Sequence, residues 1–213
     1  IQRGLKSEAE VQRFFNPQLK ELLDPLLMED MDKAVDRINS AIENNERILV
    51  YGDYDADGTT AVALVYNFLR RRYTNLDYYI PDRYNEGYGV SYQGVDYAFN
   101  TGVKLVIVLD CGIKAIQEIQ YAKDKGIDFI VCDHHVPDDE LPPAVAILNA
   151  KREDSTYPFK HLSGCGVGFK LMHAFALSNE IPFTELIPSV DLVAISTASD
   201  IVPIMGENRV LTY

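Results

Sequence analysis

Arg47-Ile48-Leu49-Val50-Tyr51-Gly52-Asp53-Tyr54-Asp55-Ala56-Asp57-Gly58-Thr59-Thr60 joins an apolar run to three aspartates at alternating positions. Gly58, two threonines and a long amphipathic segment follow. The pattern predicts a buried strand, an acidic turn and a helix start. Three carboxylates at one strand end repel one another and lose hydration unless something positive sits among them. A divalent cation meets that need, and oxygen-rich clusters suit Mg²⁺ or Mn²⁺. Asp is also common in turns and at helix N-caps, which accounts for one of these aspartates well and for three poorly.

Downstream the same grammar repeats. A helix is expected from about Thr59 to Arg72, then a strand from Leu76 to Ile80 that Pro81 ends. The loop 81–90 is rich in aromatic, charged and glycine residues, including Arg83 and Tyr88, and is a candidate substrate contact. Ser91 can cap a helix reaching Phe99. Lys104 to Leu109 is a continuous apolar strand that stops at Asp110-Cys111-Gly112. After a helix from about Lys114 to Lys125, the strand Asp128 to Cys132 stops at Asp133-His134-His135, and Val145 to Leu148 is one more strand. Alternating strands and helices predict an α/β fold, a mostly parallel sheet covered by helices on both faces. The polar clusters fall at the carboxyl ends of the strands, where open α/β sheets bind ligands.

The flanks are less informative. Residues 1–26 look helical and amphipathic, broken at Asn16-Pro17 and Asp24-Pro25, and Met28 to Ile42 repeats apolar residues at spacings of three and four. Helices packed on the sheet are the expectation there, as a helical N-terminal extension (1–45) on a catalytic domain (46–213). Leu162 to Gly168 reads as a glycine-rich turn before a helix from about Phe169 to Leu177, able to cradle a phosphate or to serve close packing alone. A last helix is expected from about Pro188 to Ser199, ending at Asp200.

The chain has 213 residues, 47% hydrophobic and 24% charged, enough for a real core. No apolar run approaches the roughly 20 residues of a membrane span. Cys111, Cys132 and Cys165 are odd in number and widely spaced, which favours a reduced, cytoplasmic protein over a disulfide framework. No GxGxxG or GxxxxGK[ST] element occurs, so ordinary dinucleotide and P-loop sites lose support. The net charge of −12 argues against nucleic-acid binding, except that a metal-binding carboxylate cluster adds negative count while creating a locally cationic site.

Four strand or helix ends thus converge in this topology: Asp53/Asp55/Asp57, Asp110, Asp133/His134/His135 and Asp200. Each alone is weak, because a lone Asp at a strand end is usually a cap. Together, carboxylates and an imidazole are what two Mn²⁺ or Mg²⁺ ions roughly 3.5–4 Å apart need, with one carboxylate bridging. A second imidazole beside them can donate to phosphate oxygens.

These motifs, with Gly164-Cys165-Gly166-Val167 and Ala198-Ser199-Asp200, resemble the DHH family of phosphoesterases in order and spacing from about Ile48 to Asp200. The Asp53-Tyr54-Asp55-Ala56-Asp57-Gly58 form and the Arg83…Glu86-Gly87-Tyr88-Gly89 loop look most like its RecJ-type single-strand-specific exonucleases. The resemblance implies that Asp55 and Asp110 hold one metal, and that Asp57, Asp110, His134 and Asp200 hold the second. It implies that His135 contacts the scissile phosphate, that Asp133 and Asp53 support the cluster, with Asp53 a candidate direct ligand, and that Gly164 and Gly166 lie near the substrate backbone. One departure stands out. Many relatives carry a histidine ligand four residues before the Asp55 position, where this chain has Tyr51, leaving Asp53 to substitute.

The implied activity is Mn²⁺- or Mg²⁺-dependent hydrolysis of single-stranded DNA, 5′ to 3′, to mononucleotides in repair and recombination. Single-strand-binding protein and a helicase are the implied partners, with no membrane. The rivals are a relative acting on short oligonucleotides, cyclic dinucleotides or pyrophosphate, and a non-catalytic scaffold at replication forks. The chain starts without Met and stops at Tyr213, the expectation for a trimmed N-terminal catalytic domain lacking the family's substrate-binding and oligonucleotide-binding modules.

Overall fold

A computed structural model describes residues 5–213. Five strands form one all-parallel sheet: β1 (Arg47–Gly52), β2 (Leu76–Tyr79), β3 (Val103–Leu109), β4 (Asp128–Cys132) and β5 (Ala146–Leu148), in the order β2-β1-β3-β4-β5. The α-helices are α1 (Glu8–Phe15), α2 (Met31–Glu43), α3 (Ala56–Arg70), α4 (Tyr92–Asn100), α5 (Ile116–Asp124), α6 (Gly164–Ser178), α7 (Val190–Ser199) and α8 (Gly206–Leu211).

Successive strand residues point to opposite faces, and both faces are apolar. Ile48, Val50, Leu105, Ile107 and Ile130 join a core with α2, α3 and α6. Leu49, Tyr51, Val106, Val108 and Val131 join a second core with α4 and α5. Tyr51 belongs to that second core. Its hydroxyl donates to Gly89 O (3.0 Å) and accepts from Ser91 N (3.2 Å), and its ring stacks on Tyr79 at 5.2 Å. It pins the loop before α4 and is no part of the aspartate cluster.

The order in which strands are added to the sheet reverses between β1 and β3. Connections leave the sheet on opposite sides there, opening a crevice at the strand carboxyl ends. The acidic motifs sit in that crevice because β1, β3 and β4 all end there.

Three expectations need correction. First, α1 is short, buries no side chain and lies against α8, where the Arg209 guanidinium covers the Phe14 ring at 4.7 Å. Two single turns, Leu19–Glu21 and Pro25–Leu27, follow instead of more helix, since Pro17 and Pro25 supply no N–H for one. Residues 1–4 of the expected helix lie outside the described residues. Second, α3 begins at Ala56, because Asp55 caps it by accepting from Gly58 N at 2.9 Å. Third, the glycine-rich stretch is not a turn. It is the first turns of α6, capped by Ser163, whose Oγ accepts from Gly166 N at 3.1 Å.

Candidate active site

The three aspartates after β1 have different surroundings. Asp53 is buried. Its Oδ1 accepts weakly from Gly89 N at 3.4 Å, and its Oδ2 has no hydrogen-bond partner among the described residues. Burial first, and the charge of Asp55 in addition, raise its carboxyl above the ordinary range. Asp55 is exposed and spends Oδ1 on the α3 cap. Asp57 is buried in the first turn of α3 and faces α6. Its Oδ2 accepts from Gly164 N and its Oδ1 from Cys165 N, both at 2.7 Å. A Cβ at Gly58 would fall 2.5 Å from Asp53 O, so only glycine lets α3 start this close to the end of β1.

Asp110 continues β3 by one residue, its N–H donating to Cys132 O at 2.9 Å. It has a left-handed backbone, φ +62°, which Asp tolerates better than most residues and which turns its side chain into the crevice. Burial first, then the charges of Asp57, Asp55, Asp133 and Asp200, push its carboxyl up to about 10. Asp200 ends α7, and burial followed by Asp57 and Asp55 raises it too, against the opposing pull of His134 and His135.

His134 is buried among these carboxylates. Its Nε2 lies 3.2 Å from Asp110 Oδ1, 3.6 Å from Asp200 Oδ2 and 3.8 Å from Asp57 Oδ2. Among the described residues, neither of its ring nitrogens nor Asp110 Oδ1 has a hydrogen-bond partner. Burial holds the imidazole below its ordinary pKa, toward the neutral form. Ligand atoms of Asp57, His134 and Asp200 all lie within 4.8 Å of one another, as do those of Asp110, His134 and His135.

A divalent cation fits this arrangement. Buried acceptors and an orphaned imidazole nitrogen are costly alone, and here they crowd together without pairing. The oxygen-rich set with one neutral imidazole suits Mn²⁺ or Mg²⁺. Asp53 Oδ2 is a further buried acceptor beside Asp55, on the β1 side of the crevice.

Both oxygens of Asp133 are engaged by its surroundings. Its Oδ1 accepts from His134 N (2.7 Å) and His135 N (3.1 Å) and meets His135 Nδ1 at 2.7 Å, while its Oδ2 accepts from Ile113 N (2.9 Å). Burial opposes ionisation, but the His135 hydrogen bond and charge and the N–H groups of Ile113 and His135 prevail and hold the carboxyl low. The same hydrogen bond raises the pKa of His135, whose side chain is 44% exposed. Asn149 holds the loop by donating to His135 O at 2.8 Å. Asp133 therefore orients His135, with both of its oxygens engaged by the loop that carries the two histidines and by Ile113 N.

Arg83 and Tyr88 lie at the rim. The Arg83 guanidinium covers the Tyr54 ring at 5.2 Å, Tyr54 meets Tyr88 edge-on at 6.5 Å, and Tyr88 meets His135 at 6.1 Å. The Tyr88 hydroxyl donates to Asp110 O at 3.1 Å. A cavity of about 400 Å³ opens beside His135, lined also by Tyr88, Gly112, Lys114 and Glu118. A larger cleft of about 750 Å³ between α1 and α8 is mainly apolar and holds none of these residues.

Gly164 and Gly166 lie in the first turn of α6. Both are buried, and their N–H groups serve Asp57 and Ser163, leaving none to cradle a phosphate. A Cβ at Gly164 would fall 2.5 Å from Asp110 Cβ, so its glycine admits Asp110 to the cluster. Ser163 and Ser196 escaped the sequence reading. Ser163 stands where an N-cap would, a signal masked by the glycines after it. Ser196 lies one turn before Asp200 on α7, hence on the same face.

The sequence of residues 47–197 matches the DHH family, N-terminal domain. The chain is 42% identical over 211 residues to the single-stranded-DNA-specific exonuclease RecJ of Bacillus subtilis (strain 168), covering 99% of this chain and 26% of that protein. It is 37% identical over 221 residues to RecJ of Escherichia coli (strain K12), covering 99% and 38%. A crystal structure of exonuclease RecJ bound to manganese superposes with a TM-score of 0.80 at 32% identity, over 90% of this chain and 48% of that one. RecJ from Thermus thermophilus in complex with Mn²⁺ gives 0.77 at 28% identity, over 94% and 28%. The chain thus spans roughly a quarter to two fifths of the length of these curated relatives. With the family match covering most of its length and the strand-end motifs in place, the chain belongs to the DHH family.

Proposed function

We propose that this chain is the catalytic part of a Mn²⁺- or Mg²⁺-dependent phosphodiesterase that removes mononucleotides from single-stranded DNA, 5′ to 3′, in repair and recombination. The observation that carries it is the convergence of Asp57, Asp110, His134 and Asp200 around an imidazole nitrogen that no described residue satisfies. The relatives' specificity for single strands, and the manganese bound in RecJ crystals, support the choice of substrate and ion.

On this reading Asp57, Asp110, His134 and Asp200 would hold one cation, and Asp55, Asp110 and Asp53 would hold a second. Cations held there would supply Lewis-acid polarisation of a phosphoryl group and a lowered pKa for bound water. The chain's own residues do the rest. Asp133 fixes Nδ1 of His135 and favours its protonated form, so Nε2 can donate to a phosphate oxygen as charge develops there. Tyr54, Tyr88 and Arg83 give an aromatic and cationic rim on which a base and the backbone of an unpaired strand can rest. Cytoplasmic single strands opened by a helicase and covered by single-strand-binding protein are the substrate pool this implies.

The test uses the protein carrying this chain, 5′-labelled single strands and Mn²⁺. Mononucleotides should be released, and Asp110→Asn should lower the rate by at least about 10³-fold, since losing a group that acts as part of a unit disables the unit. Undiminished turnover by Asp110→Asn contradicts the proposal. Faster turnover of a dinucleotide than of a long strand would move the substrate to short oligonucleotides.

A further inference from the structure

Asp57 is held by more donors than any other carboxylate facing the buried His134 nitrogen. Its Oδ1 accepts from Cys165 N and lies 2.7 Å from Ser196 Oγ, and its Oδ2 accepts from Gly164 N. Ser196 Oγ lies 2.5 Å from Ser163 Oγ, which accepts from Gly166 N at 3.1 Å. Asp57, Ser163 and Ser196 are all buried.

Proton counting fixes the direction of this chain of contacts. An ionised carboxylate only accepts, and a serine hydroxyl has a single proton to give. Ser196 therefore donates to Asp57 Oδ1. The contact between the two hydroxyls must then be Ser163 donating to Ser196. Ser163 accepts in turn from Gly166 N. One consistent sequence runs from Gly166 N–H through Ser163 and Ser196 to Asp57.

The consequence lies in which oxygen stays free. A carboxylate oxygen accepts about two hydrogen bonds. Oδ1 has both, from Cys165 and Ser196. Oδ2 has one, from Gly164, and is the oxygen facing His134 Nε2 at 3.8 Å. We propose that Ser163 and Ser196 are positioning residues that occupy Asp57 Oδ1 through a directional hydroxyl relay, so that Asp57 offers one oxygen, Oδ2, to a divalent cation. This rests on the metal-centre reading above and sharpens it. A one-oxygen ligand suits the six-coordinate sites of Mg²⁺ and Mn²⁺, whereas the larger Ca²⁺ takes six to eight oxygens and readily uses two of one carboxylate. The relay would thus bias the site against Ca²⁺.

The experiment is calorimetric titration of the protein with Mn²⁺ and with Ca²⁺, for the wild type, Ser196→Ala and Ser196→Thr. In Ser196→Ala, Oδ1 regains a lone pair. Mn²⁺ affinity should fall on the order of tenfold, the usual scale for losing a group that orients a ligand. The ratio of Ca²⁺ to Mn²⁺ affinity should rise by at least as much. Ser196→Thr keeps the hydroxyl and should restore the wild-type ratio. A purely structural serine would alter thermal stability and leave that ratio unchanged. If Ser196→Ala does not fold, Ser196→Cys fills the same space with a weak donor and should shift the ratio the same way. A ratio within twofold of the wild type in the folded variant overturns the relay alone. No Mn²⁺ binding by the wild type overturns the metal centre itself.

Discussion

Gly164 and Asp110, 54 residues apart, approach so closely that a Cβ on the glycine would lie 2.5 Å from both Asp110 Cβ and Oδ1. The contact joins the α6 N-terminus to the end of β3, with Asp57 bridging through Gly164 N. Gly164→Ala must move either Asp110 or α6. Mn²⁺ affinity should fall about 10- to 100-fold, the range for disturbing groups that orient metal ligands. Calorimetry measures this, and circular dichroism should show the helices retained. Wild-type affinity in the alanine variant would mean that the approach has no bearing on the site.

Asp133→Asn is expected to be severe for a different reason. Both oxygens of Asp133 receive backbone N–H groups, from His134, His135 and Ile113. Either orientation of an amide points its NH₂ at a donor, a loss of about 1–3 kcal/mol of stability. It also removes the charge and the hydrogen bond that raise the pKa of His135. The His135 imidazole should then titrate at lower pH, as read by NMR, and turnover should fall more than substrate affinity. An unshifted His135 titration would remove Asp133 from its positioning role.

A buried ion pair ties the N-terminal segment to the core. Lys170, fully buried in α6, pairs with Glu207 of α8 and donates to Leu23 O at 2.7 Å. Glu207 also accepts from Leu23 N (2.9 Å) and from the Tyr157 hydroxyl (2.6 Å). Lys170→Met leaves a buried carboxylate without its cation and should cost about 3–5 kcal/mol in urea unfolding. Adding Glu207→Gln should recover part of that. A single-variant loss under about 1 kcal/mol would show that water or rearrangement reaches the pair.

His173 predicts acid sensitivity away from the active site. Burial first, then the charge of Lys170, push its pKa down from 6.5 to about 4, with Asp24 opposing. Its ring packs against Phe183 at 4.9 Å and Phe169 at 6.3 Å. Below pH 6.5 the unfolded chain takes up this proton more readily than the folded one, so stability falls as pH drops toward 4. Allowing for partial exposure, the contribution is about 2 kcal/mol. His173→Gln should flatten the difference in unfolding free energy between pH 7 and pH 4 by that amount. Identical pH profiles for the two proteins would contradict the assignment.

Much of the site was legible because it uses strand ends. Continuous apolar runs stopping at Asp53, Asp110 and Asp133 are a local pattern, and parallel strands bring their carboxyl ends to one edge whatever the loops do. What the sequence hid is the donor side. Asp57 owes its place to N–H groups of Gly164 and Cys165, more than 100 residues away, and a glycine-rich string looks the same as a turn or as a helix start. Ser196 sits mid-helix, where nothing local distinguishes a hydroxyl that meets an aspartate from one that does not. The expectation of helices packed on the sheet fails for α1, because Phe14 packs beside Arg209 of α8, a partner close in space and distant in sequence.

The most direct test of the central claim is anomalous diffraction from crystals soaked in Mn²⁺. The account predicts a strong peak between Asp57, Asp110, His134 and Asp200, lost in Asp110→Asn, with a second peak toward Asp53 and Asp55. Wild-type crystals with no peak among the first four side chains would contradict it.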